Sequence, residues 1–321
     1  MNPARQSRNV PASVRARLRD LARHRHVEFQ LLLSDFAIER LLYRLGTSTH
    51  SDRFGVKGAT HFKLWSDEGH RATWDLDLFG RGAGAVSDVV TAVHDLCEIA
   101  VDDGLTFNRG SVTGEELRGP GESAGVRVRL QAQLADARIP LQVDVGFGDT
   151  IVPAPTRVTF PTLLEHDAPR VLAYPRETVV AEKLEAMVSL GVTNSRMKDF
   201  YDVHRIASSA SFDGTTLTRA IRATFDRRQT PLPESEPLAL SPGFLAAPER
   251  QTQWRALLRR GRLAAPQDAG QLTEELRRFL LPVLAATVRG GTYEARWRPG
   301  GPWVPHLADE ASPNREQHES L

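Results

Sequence analysis

The segment Arg71-Ala72-Thr73-Trp74-Asp75-Leu76-Asp77-Leu78 constrains this chain more than any other stretch. As a strand it sends alternate side chains to opposite faces, so Arg71, Thr73, Asp75 and Asp77 share one face and Trp74, Leu76 and Leu78 the other. The apolar face calls for a core beneath it. The polar face carries two carboxylates about 7 Å apart along the strand, a spacing suited to a divalent cation. Aspartate is a poor strand former, so two on one face of one strand demand a reason. Upstream, Phe54-Gly55-Val56-Lys57-Gly58-Ala59-Thr60 reads as a glycine-containing turn whose bare backbone can approach a phosphate. A phosphate cradle followed by Asp-x-Asp suggests phosphoryl or nucleotidyl transfer.

With 321 residues the chain is long enough for a sizeable core and two domains. Its 40% hydrophobic and 25% charged residues are those of an ordinary soluble globular protein. No stretch reads as a membrane span, and Met1 to Gln6 lead into charged helix without an apolar leader, which predicts a cytoplasmic protein with no membrane partner. The single cysteine, Cys97, excludes an intrachain disulfide framework and sits in an apolar pattern as a small buried hydrophobe. A net charge of +1 does not announce a nucleic-acid binder. Of 41 basic residues, however, only Lys57, Lys63, Lys183 and Lys198 are lysine, and three of these fall in segments singled out on other grounds. Lysine offers a compact ammonium that arginine does not reproduce.

Along the chain, hydrophobic periodicity predicts two helices over 11–46, a turn opening a helix over 57–65, a glycine-rich loop at 80–84 and a helix over 89–100. Strands are predicted over 125–130 and 139–147; in the second, Leu141, Val143, Val145 and Phe147 face inward and leave Asp144 with Gln142 on the other face. From Tyr174 the pattern is helical: 176–190, bounded by Pro175 and Gly191; 196–206, capped by Ser195; then 215–227, 249–263 and 271–288. No internal repeat is present. The expected architecture is α+β, with N-terminal helices packing on the core (1–48), an α/β domain with a mixed sheet (49–172), a helical domain (173–290) and a loosely held tail (291–321).

Asp75, Asp77 and Asp144 form the carboxylate set that a magnesium-dependent transferase needs, since the metal bridges the triphosphate and polarises an attacking hydroxyl. Lys183 lies mid-helix in Glu182-Lys183-Leu184, and Lys198 and Asp202 lie four apart on one helix face with Asp199 between them. Two readings stay open for these: a solvated face with surface pairing, or a network that orients active-site groups. Arg219, Arg222, Arg227 and Arg228, and then Arg255, Arg259, Arg260 and Arg262, suit either an RNA backbone or solvated helix faces. His24 and His26 lack the neighbours a metal site needs.

Lys57-Gly58-Ala59-Thr60, Arg71-x-Thr73-x-Asp75-Leu76-Asp77-Leu78, Glu182-Lys183-Leu184 and Arg196-x-Lys198-Asp199-x-Tyr201-Asp202 follow, in that order, a four-motif pattern. The chain thereby resembles the AbiEii nucleotidyltransferase toxins, a family that includes the mycobacterial MenT-type toxins, over about 50–206. Ala59 stands where the family usually has a second glycine. The resemblance implies a polymerase-beta-like nucleotidyltransferase domain with a helical C-terminal domain. It implies that Asp75 and Asp77 hold Mg2+, that Lys183 contacts the phosphates of an NTP, and that Asp202 joins the catalytic network with Lys198 and Asp199 in support. Asp144 fits the third carboxylate by strand context. Nucleotide contacts are then expected along Lys57, Gly58, Ala59, Thr60, Arg71 and Thr73. Members of the family add nucleotides to the acceptor end of tRNA and are paired with a cognate antitoxin. Phosphorylation of a hydroxyl residue silences related toxins at the motif position that Thr73 holds here. Nucleotidyl transfer to a protein or small molecule, and a non-catalytic module that binds nucleotide or a partner, are the alternative readings.

Overall fold

The computed structural model describes residues 9–64, 74–117, 125–261 and 263–306. Helix α1 (Val10–Arg25) starts where the Asn9 side chain accepts a hydrogen bond from the Ala12 N–H, and it stops at His26, which adopts the left-handed conformation. Helix α2 (Phe29–Thr47) is buried almost all round, including Arg40 and Arg44. Both guanidinium groups donate to Asp103, at 3.0 Å and 2.6 Å, so charges too costly to bury alone are neutralised as a group.

Strands β1 (Phe54–Val56), β2 (Asp75–Gly80), β3 (Leu105–Leu117), β4 (Gly125–Leu134), β5 (Ala137–Phe147), β6 (Thr156–Thr159) and β7 (Arg170–Ala173) form one sheet in the order β3-β4-β5-β2-β1-β7-β6. β2 lies inside it, parallel to β5 and antiparallel to β1, so the sheet is mixed. Helix α3 (Val86–Glu98) packs on β3. Leu76 and Leu78 enter a core shared with α1, α2 and α3, whereas Phe79 enters a second core shared with the C-terminal helices. Because side chains alternate along a strand, Asp75 and Asp77 share the Phe79 face, turned towards the helical half.

That half comprises α4 (Arg176–Leu190), α5 (Met197–Ser209), α6 (Gly214–Arg228), α7 (Pro242–Ala246), α8 (Pro248–Gly261) and α9 (Ala269–Val288). The fold is α+β. Predicted helices and strands agree with these spans to within a few residues, whereas the short β1, β6, β7 and α7 are not predicted, and two further details differ. Ser195 does not cap α5; Arg196 is the capping position and its N–H is held by the Asn194 side chain. The thirteen-residue β3 escapes prediction because its outer half is polar and its register with β4 shifts between Asn108 and Thr113.

The expectation of a loose tail from 291 is corrected over its described part. Strands β8 (Phe212–Asp213), β9 (Ala295–Trp297) and β10 (Trp303–Pro305) form a second small sheet. The Trp297 indole donates to the Ala207 carbonyl at 2.7 Å, and Trp303 stacks on Phe279 while donating to its carbonyl at 3.0 Å. Two large aromatics with their N–H groups satisfied outweigh the glycine and proline content that reads as disorder.

Candidate active site

Strand pairing builds the site. The β2–β5 register sets Asp77 directly opposite Asp144, and the β4–β5 register sets Arg127 opposite Asp144. On the other side, the Lys57 N–H donates to the Asp77 carbonyl at 2.9 Å, just past the end of β1. Lys57, Asp77, Asp144 and Arg127 therefore form one row across four strands. Like charges directly opposite each other are unfavourable, so the Asp77–Asp144 juxtaposition favours a cation between or beside them. Asp75 feels the same field. Burial pushes its carboxyl up, the Asp144 charge pushes it further, and Arg127 and Lys198 pull it back down.

Asp144 is held in a fork: Arg127 Nε and Nη2 reach its two oxygens at 2.8 Å and 2.7 Å. Among the described residues no three His, Cys, Asp or Glu side chains converge as a metal cluster. Of the three carboxylates expected from the sequence, Asp75 and Asp77 lie on one strand face, and Asp144 is paired with Arg127. Its bidentate grip is the strong geometry for such a pair. The donors fit a hard divalent cation, being carboxylate oxygens on one strand face whose mutual repulsion a cation relieves.

Gly58 explains how the turn lies against this face. Its φ is +67°, and a Cβ at that position would lie 2.0 Å from Asp77 Oδ2, so only glycine lets the backbone pass the carboxylate. A 3-10 helix, Ala59–Leu64, follows. Thr60 is fully buried and its hydroxyl donates to the Asp75 carbonyl at 3.3 Å. Thr60, expected from the sequence as a nucleotide contact, braces the start of β2 through its side chain. His61 is buried in the same turn, and burial pushes its imidazole down to about 3. Arg71 and Thr73 lie outside the described residues.

From the helical half, α4 and α5 bring a second charged group. The Lys183 ammonium donates to Asp199 at 2.9 Å and to Asp202 at 2.7 Å, both buried, and Arg196 reaches the other Asp199 oxygen at 2.6 Å. Burial would push the Lys183 ammonium down, but the Asp202 and Asp199 charges outweigh it and hold it up. The side chains form a buried ion-pair network and not a solvated face. Asp202 turns inward to Lys183, while Lys198 is exposed on the side whose charge reaches Asp75.

Sequence reasoning missed Arg127, Asp149 and Tyr174. Lys57 Nζ donates to Asp149 Oδ2 at 2.7 Å, and the Tyr174 hydroxyl donates to the same oxygen at 2.5 Å. Arg127 lies in a strand that alternates apolar and charged residues, and Asp149 falls in no motif of the sequence; only pairing reveals either. Three of the α6 arginines are occupied in internal contacts. Arg222 donates to the Thr287 and Gly291 carbonyls, Arg227 to Gly148, and Arg228 to Glu185. Arg255, Arg259 and Arg260 on α8 are exposed.

A family model described as the nucleotidyl transferase AbiEii toxin of a type IV TA system matches residues 40–280. The chain belongs to this family. Two crystal structures from Helicobacter pylori, one of a candidate nucleotidyltransferase and one of JHP933, are similar at 13% identity and a TM-score of 0.43, with 82% of this chain and 97% and 94% of theirs covered. No curated protein matches the chain.

Proposed function

We propose that this protein is a magnesium-dependent nucleotidyltransferase toxin that transfers a nucleoside monophosphate from an NTP to an RNA 3′ end, that of tRNA, and so blocks translation. The observation that carries the reading is the Asp75/Asp77 face packed against the Gly58 turn, with Asp144 opposite Asp77 in register, inside the segment the family model matches. Asp75 and Asp77 hold Mg2+. Bound there, the metal supplies charge neutralisation of the triphosphate and polarises the attacking hydroxyl. Asp144 stands next in the row and, when released by Arg127, helps take the proton from that hydroxyl. Lys57 and Lys183 face the phosphates as the compact cations of the two halves. The type IV family description supports a cognate antitoxin as partner, and phosphorylation of Thr73 is the proposed route of control. None of the helices among the described residues is long and apolar enough to cross a membrane, in keeping with action in the cytoplasm.

The test is to incubate the purified protein with each labelled NTP, magnesium and total RNA, and to resolve RNA from protein and small products. Label in tRNA is expected. Label only in protein or in a small molecule overturns the RNA acceptor, and label in none of these fractions with any NTP overturns the transferase reading.

A further inference from the structure

The Lys57 ammonium reaches the row of carboxylates as part of a larger charged cluster that extends beyond the four motifs. Asp149 follows the β5 strand end, Tyr174 follows β7, and both contact Lys57 or each other through a single oxygen, Asp149 Oδ2. Tyr174 also places Lys57 over its ring, 5.7 Å from the centroid. The same Tyr174 hydroxyl lies 3.4 Å from Glu182 Oε1 on α4, and Arg228 on α6 lies 3.7 Å from that oxygen. Glu182 directly precedes Lys183, so one turn of α4 touches the group that holds Lys57 and carries the second lysine.

Each partner is constrained. Tyr174 is 2% exposed and stacks on Phe79, the residue two beyond Asp77 on the same strand face. A Cβ on Gly146 would lie 2.5 Å from Lys57 Nζ, so glycine there leaves the lysine tip its present place. A long, flexible lysine is thus fixed at its tip by a carboxylate whose own orientation is fixed by a phenol. Fixing a lysine in advance removes the entropy that it would otherwise lose on meeting a phosphate. Burial lowers the Lys57 ammonium, but Glu182 and Asp149 outweigh it and keep the group charged.

We infer that Asp149 and Tyr174 are positioning residues for nucleotide binding, which hold the Lys57 ammonium beside Asp77 so that it meets the triphosphate of the incoming NTP. The inference rests on the transferase reading above and adds two residues to it. They act through Lys57 and do not touch the nucleotide.

A double-mutant cycle tests it. Asp149→Asn and Tyr174→Phe are made in the wild-type chain and in a Lys57→Ala chain, and both NTP turnover and equilibrium binding of magnesium-NTP are measured, with thermal midpoints as a check on folding. In the wild-type background each variant is expected to raise KM and Kd for NTP about tenfold, with kcat changed much less. In the Lys57→Ala background the same variants are expected to add less than about twofold. Equal losses in both backgrounds would overturn the inference, because a structural role does not depend on Lys57. Tyr174→Phe removes one hydroxyl from a packed ring and keeps the cycle readable if Asp149→Asn fails to fold. A wild-type chain that binds NTP but transfers nothing overturns the transferase reading, and the binding cycle then decides the placement of Lys57 by itself. A chain that binds no NTP overturns both.

Discussion

At the scale of single residues, the site is defined by carboxylates placed where a sheet alone would not place them. Asp77 stands in register with Asp144 across the β2–β5 pair, a juxtaposition of like charges that Arg127 offsets on the Asp144 side. Asp77→Asn removes that repulsion together with a metal-binding charge. The variant is expected to unfold at the same temperature as wild type or slightly higher, while nucleotide transfer and magnesium binding are lost. Calorimetry beside the labelled-NTP assay checks both, and near-normal transfer by a folded Asp77→Asn protein would remove Asp77 from the metal site. That Asp75 and Asp77 share one strand face was legible from their spacing, because period-two alternation puts them there without further information. Arg127 was not legible: its role depends on the neighbour that β4 acquires, which no local pattern states.

At the scale of elements, α4 and α5 form a unit through Lys183. Asp199 is 1% exposed and Asp202 is fully buried, so the ammonium is what makes their burial tolerable. Lys183→Met is therefore expected to destabilise the protein by about 3–5 kcal/mol, the usual result of stripping one partner from a buried charge group. Adding Asp202→Asn removes the stranded charge and recovers part of the lost stability, measurable by urea unfolding. If Lys183 contacts the phosphates as proposed, transfer should stay low in the double variant; full recovery of transfer would confine Lys183 to a structural role. The second sheet makes a comparable prediction for β9. Trp297 is 4% exposed and packs 4.9 Å from Phe279 between ring centroids. Trp297→Ala is expected to cost about 3–5 kcal/mol, whereas a chain end that packed on nothing would tolerate the change with almost none. The sequence pattern could not supply β9 and β10, because strands of three residues carry too few alternations to stand out from turns.

At the scale of the whole molecule, His61 and Asp103 contribute to the response to acid, alongside Asp149, His166, His204 and Asp213, whose values are also lowered. His61 has its imidazole pushed down to about 3 from an ordinary 6.5, by burial. A folded-state value below the unfolded one means that the unfolded chain takes up the proton first. Stability is then full above about pH 6.5 and falls towards pH 3, by up to about 1.4 kcal/mol per pH unit. Asp103 adds a second window. Burial raises its carboxyl, but Arg44 and Arg40 outweigh that and hold it below 3.8, so its contribution is present above 3.8 and is lost on further acidification. Urea midpoints should hold between pH 8 and about 6.5 and then fall towards pH 4 in the wild type, and fall less in His61→Gln; the same slope in both would mean that another group carries the acid response. Taken by itself, the sequence determined the α+β class, the helical second half and the two aspartates of one strand face. Periodicity, caps and alternation are local properties, and a few residues suffice to express them. Only the tertiary structure decided that Asp144 would be claimed by Arg127, that Thr60 would brace β2, and that Asp149 and Tyr174 would hold Lys57. Those outcomes depend on which strands become neighbours and in what register, and the free energy that selects the neighbours comes from burying two cores on opposite faces of the sheet.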